Sequence, residues 1–65
     1  MLEKIGTNAG KVWTRLDEEG RQHIKDLKKA TKLTEKDLYA ALGWLARENK
    51  ILVEEIEKDV FISLN

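Results

Sequence analysis

Sixty-five residues make one domain, residues 1–65, and a chain of that size buries only about 60% of its unfolded surface, so its stability margin is thin. Cysteine is absent and histidine occurs once. That excludes disulfides and thiolate metal sites and leaves no ligand set for a structural zinc, so no metal and no cofactor is expected. Basic and acidic residues number 12 each, which balances the net charge without spreading it evenly.

Residues 21–33 carry Arg21, Lys25, Lys28, Lys29 and Lys32 against Asp26 alone, a net of +4. Residues 51–65 carry Glu54, Glu55, Glu57 and Asp59 against Lys58, a net of −3. A polyanion-binding surface must therefore centre on the first segment. The plainer alternative is a solvated helix face. No apolar run has signal-peptide length, and none approaches the roughly 20 residues that span a bilayer. A cytoplasmic protein with no membrane partner is the expectation.

Leu2, Ile5, Ala9, Val12, Trp13 and Leu16 recur at spacings of three and four, the face of an amphipathic helix. Gly6 and Gly10 weaken that helix by about 1 kcal/mol each. A start at Leu2 and a later start capped by Thr7 or Asn8 are both compatible with the pattern. The two glycines lie near Trp13 on the helix wheel, where they admit another backbone or make room for the indole. Gly20 follows the acidic run 17–19 and suits a left-handed helix cap.

Residues 22–24 allow no more than one short strand pairing. A short helix then runs from Ile24 to about residue 31, with His23 at its N-cap position. Residues 31–33 make a tight connection in which Lys32 occupies the position where glycine is common. Thr34 and Asp37 resemble a capping box with aspartate in place of glutamate. A helix over 35–48 follows, buried through Leu38, Leu42 and Leu45 and ended by Asn49-Lys50. Residues 51–53 and 60–62 read as two strands. They are joined through residues 57–59 without a glycine, which specifies the turn weakly.

Helix, short strand, helix, turn, helix and hairpin is the order of a winged helix-turn-helix. The expected fold is α+β, three helices with a C-terminal β-hairpin wing. Two stretches go further: residues 8–13 read NAGKVW and residues 38–51 read LYAALGWLARENKI. They resemble a family of small bacterial winged helix-turn-helix proteins of unknown function. The likeness covers nearly the whole chain, and the longer stretch is the specific one. It implies the fold and a nominal DNA-binding, transcriptional-regulator class.

Two readings of the surface compete. In the first, helices 24–31 and 35–48 contact duplex DNA. Lys25, Lys28, Lys29 and Lys32 would meet phosphates, and Lys36 and Arg47 are the only base readers on the outward face of the third helix, where Ala40 and Gly43 offer no side-chain donors. The acidic hairpin opposes this reading, since Lys58 alone carries a useful charge. In the second, Tyr39, Gly43, Trp44 and Arg47 anchor a protein interface, most economically a homodimer. The charges of the second helix and the hairpin would then pair between subunits. The competing structural role for Trp44 is packing beneath the wing against Val53 or Phe61.

Catalysis is not expected. Residues 6–11 only superficially resemble a phosphate loop, with three intervening residues and no preceding strand. His23 and Asp26 lack a nucleophile, and 65 residues leave no room for a small-molecule pocket. The hairpin acids lack calcium-loop spacing.

Overall fold

The computed structural model describes residues 2–65, with side chains from Glu3 onward. The expected burial of Leu2 therefore lies outside the described side chains. The elements run α1 (Leu2–Glu19), β1 (Gln22–His23), α2 (Ile24–Thr31), α3 (Glu35–Arg47), β2 (Ile51–Ile56) and β3 (Asp59–Leu64). The strands form one antiparallel sheet in the order β1-β3-β2.

The first helix is continuous through Gly6 and Gly10, so neither Thr7 nor Asn8 caps a later start. Ala9, Val12 and Leu16 hold it onto the core, and that burial outweighs the propensity cost of two glycines. Trp13 lies at the margin of the apolar stripe and stays 39% exposed. A Cβ at Gly6 or Gly10 would meet nothing within 4 Å. The expected close approach of a backbone or indole to these glycines is thus absent within the described residues. Gly20 ends α1 at φ 77°, and its N–H donates to the Leu16 carbonyl at 2.8 Å.

The helix-turn-helix follows from three local devices. His23 Nδ1 accepts from the Lys25 N–H at 3.1 Å and caps α2. Lys32, at φ 57° and ψ 25°, caps its other end through an N–H bond to the Lys28 carbonyl. Thr34 Oγ1 accepts from the Asp37 N–H at 3.2 Å and starts α3. The Asp37 carboxylate faces Lys4 of α1 at 3.3 Å, tying the third helix to the first. Beyond Arg47 the chain closes in a Schellman motif: Lys50 N–H to the Leu45 carbonyl, Asn49 N–H to the Ala46 carbonyl, and Asn49 at φ 58°.

Leu27, Leu38, Ala41, Leu42, Leu45, Ile51 and Ile62 complete one core with the α1 residues. Both hairpin strands are six residues long, and only Glu57 and Lys58 form the loop. Glu57 takes the positive φ, 57°, that a glycine would normally supply.

Candidate recognition surface

At 100° per residue, α3 divides into a buried face and three outward sectors. Leu38, Ala41, Leu42 and Leu45 are buried. Lys36, Ala40 and Arg47 point away from them. Tyr39, Gly43 and Ala46 turn toward the hairpin, and Trp44 turns toward α1.

The hairpin's register decides what Tyr39 and Gly43 meet. Val53 pairs with Ile62 and Glu55 with Val60. Successive strand residues alternate faces, so Val53, Glu55 and Val60 share the face of buried Ile62. The hairpin extends beyond the core, and this inner face is left open. Ile24, Val53 and Val60 form one wall of a trough of about 270 Å3, with Tyr39, Gly43 and Ala46 opposite and Leu42 and Ile62 as floor. Every described lining residue except Tyr39 is aliphatic or glycine. Val53 is 55% exposed and Tyr39 is 52% exposed, and with the other lining residues they make a contiguous apolar patch.

The trough borders a hollow of net positive charge. Ile24 and Tyr39 also line a second depression with Lys25, Lys28, Leu38 and one carboxylate, Glu35. Those lysines join Lys29, Lys32 and Leu33 around a third. The four lysines of α2 and its C-cap, Lys25, Lys28, Lys29 and Lys32, expected to act together, are therefore contiguous and exposed. Neither they, Lys36 nor Arg47 has an ion-pair partner among the described residues.

The outer face of the sheet carries a network of polar and aromatic contacts beside Leu52 and Ile56, each 49% exposed. The Arg21 guanidinium lies 4.5 Å from the centroid of the Phe61 ring, and its Nε is 3.8 Å from Glu54. His23 meets the same ring edge-on at 5.2 Å and 88°. Its Nε2 donates to Asp59 Oδ1 at 2.9 Å. Because Nδ1 already accepts from Lys25, the neutral ring with its proton on Nε2 satisfies both bonds. The partner of His23 is thus Asp59, across the sheet, and not Asp26. Glu55 and Glu57 remain without an ion-pair partner among the described residues.

Of the two alternatives for Trp44, packing beneath the wing is not what is found: Trp44 is half-buried and shares a groove of about 410 Å3 with Gly6, Gly10 and Trp13 of α1. The set Tyr39, Gly43, Trp44 and Arg47 spreads over adjoining sectors of α3. Tyr39 and Gly43 border the trough, Trp44 faces α1, and Arg47 lies between them on the outward sector. The trough residues that sequence reasoning passed over are Ile24, Ala46, Val53 and Val60. Their signal is the strand parity of Val53 with Ile51 and of Val60 with Ile62.

Among the described residues, no group of three or more His, Asp or Glu is placed to hold a metal, and no helix is long and apolar enough to cross a membrane. The family model described as a winged helix-turn-helix domain (DUF2582) matches residues 1–64. The chain belongs to this winged helix-turn-helix family. It is similar to the solution NMR structure of protein BT2368 from Bacteroides thetaiotaomicron, with 37% sequence identity and a TM-score of 0.86 over 95% of this chain and 76% of that one. No curated protein matches the chain. Membership of this family makes a winged helix-turn-helix whose fold commonly binds DNA, and leaves the working surface to be read from its own residues.

Proposed function

We propose that this protein is a non-enzymatic winged-helix module that docks another polypeptide in the trough between α3 and the wing, and does not read DNA sequence. The observation that supports this most directly is the chemistry of the trough. A winged helix that reads DNA brings α3 to base edges and the wing to phosphates. Here the space between α3 and the wing is walled by Gly43, Ala46, Val53 and Val60, none of which donates a side-chain hydrogen bond. The carboxylates of Glu55 and Glu57 stand on the same hairpin and repel a backbone that carries one charge per roughly 1.7 Å of duplex. An exposed tyrosine beside open aliphatic walls is the composition of a protein interface core.

Selection of displayed random peptides on the wild-type chain, with counter-selection on Val53→Glu, tests this reading. Peptides that survive both steps and perturb the amides of Gly43, Ala46 and Val53 are the expected result. A selection that yields only Val53-independent binders contradicts it.

The contiguous α2 lysines support a second reading, in which duplex DNA is held loosely and without sequence preference, in keeping with a regulator-type fold. Four phosphate contacts give a slope of log K against log salt of about −3 to −4. Each of Lys25→Ala, Lys28→Ala, Lys29→Ala and Lys32→Ala then reduces the slope by about 1. Fluorescence anisotropy with a random duplex measures it. Identical slopes for wild type and all four variants would remove this reading.

A further inference from the structure

We propose that the occupant of the trough is a second copy of this chain, packed about a two-fold axis so that the α2 lysines of one protomer face the wing carboxylates of its partner. The proposal rests on the docking function above and names its partner.

The surface is self-complementary in charge. One end of the trough opens on Lys25 and Lys28, which outnumber the one carboxylate there, Glu35, and is extended by Lys29 and Lys32. At the other end the inner face of the hairpin carries Glu55, register partner of Val60, and the loop carries Glu57. Segment 21–33 has a net charge of +4 and segment 51–65 a net of −3. Two copies related by a two-fold axis run their troughs antiparallel, which sets each basic end against an acidic one, twice. A wholly acidic or wholly basic peptide would satisfy one end and oppose the other. The α2 lysines, like Glu55 and Glu57, have no ion-pair partner among the described residues, so the cross-pairs cost no contact within the protomer. Closed two-fold dimers are also the commonest soluble assembly.

The open edge of β2 is a poorer seam. An antiparallel junction of β2 with its own copy sets Glu54 and Glu55 of one chain beside those of the other, and like charges across strands destabilise pairing. The contact is therefore face to face, with Val53 and Tyr39 inside it.

Sedimentation equilibrium of the full chain at about 50 mM and about 500 mM salt reads the outcome, because exposed charge pairs are screened within a few ångströms at the higher salt. Wild type is expected to form a dimer that weakens at high salt. Val53→Glu is expected to weaken it by about tenfold or more. Leu52→Glu, on the opposite face of the same strand and 49% exposed, is expected to leave the dimer intact. Lys28→Glu and Glu55→Lys chains are each expected to self-associate more weakly than wild type and to prefer the heterodimer when mixed, since opposite charges then face each other at both ends. Circular dichroism confirms that each variant is folded. A wild-type monomer at every concentration overturns the second copy, while the peptide selection decides the docking function separately. A dimer that Val53→Glu leaves unchanged also overturns it, by placing the seam elsewhere.

Discussion

Lys32 holds a backbone conformation, φ 57°, that costs a non-glycine residue about 1 kcal/mol. The cost stands because the residue closes α2 with an N–H bond to Lys28 and lets the chain turn into α3. Lys32→Gly is expected to raise stability by about 1 kcal/mol in urea unfolding. A loss of stability would show that the lysine side chain makes a compensating contact. His23 joins two elements through one ring, capping α2 with Nδ1 and bonding β3 through Nε2. His23→Ala is expected to cost about 1–3 kcal/mol, a cap plus a hydrogen bond, whereas His23→Asn keeps a cap acceptor and loses less. Equal losses would assign the effect to the Asp59 bond alone. The cap role of His23 and the turn position of Lys32 were legible because both depend on neighbours in sequence. Asp59 was not, because it lies 36 residues away and nothing local announces it.

The helices were legible as elements because their apolar spacing, caps and stops are written within a few residues of one another. The element boundary that sequence left open, the start of α1, lies at Leu2: half-buried Ile5 and the Lys4–Asp37 ion pair hold the turn before Gly6, and buried Ala9, Val12 and Leu16 carry the helix on past Gly10. Those glycines make no demand that the chain itself explains, since a Cβ at either meets open space. Gly6→Ala and Gly10→Ala are each expected to stabilise by about 1 kcal/mol, read as a higher melting temperature. A destabilised Gly10→Ala variant would mean that the groove beside Trp13 and Trp44 closes in solution. The hairpin was less legible. Two β-branched runs predict two strands, but the six-residue register and the two-residue loop require the partner strand. That register alone puts Val53 on the inner face and Leu52 on the outer one. The trough was invisible for this reason: its walls come from four elements, and only the pairing of β2 with β3 turns the right side chains toward α3. The same limit explains Trp44. Helix periodicity places it outside the core stripe, but which neighbour it meets depends on how α1 lies across α3.

For the molecule as a whole, a winged-helix scaffold carries only Lys36 and Arg47 as side chains able to read bases on the outward face of α3. The basic charge is concentrated on α2, the third helix shows Ala40 and Gly43 where base readers would sit, and the hairpin is acidic. An apolar trough joins the two oppositely charged regions. A trough of aliphatic side chains favours burial against protein, and the charge at its ends sets the direction of the partner more than the strength of binding. Occupation by a partner also links stability to concentration, which a 65-residue domain with a thin margin needs more than a larger one. The most direct test of whether the trough or the outward face of α3 is the working surface is an NMR titration of amide shifts with a random-sequence duplex, at about 50 mM and about 200 mM salt. Shifts confined to residues 25–32 that fade at the higher salt, with Gly43, Ala46 and Val53 silent, are the expected result. Shifts at Lys36, Ala40, Gly43 and Arg47 that persist at the higher salt would contradict it, because they would place α3 in a groove of the duplex.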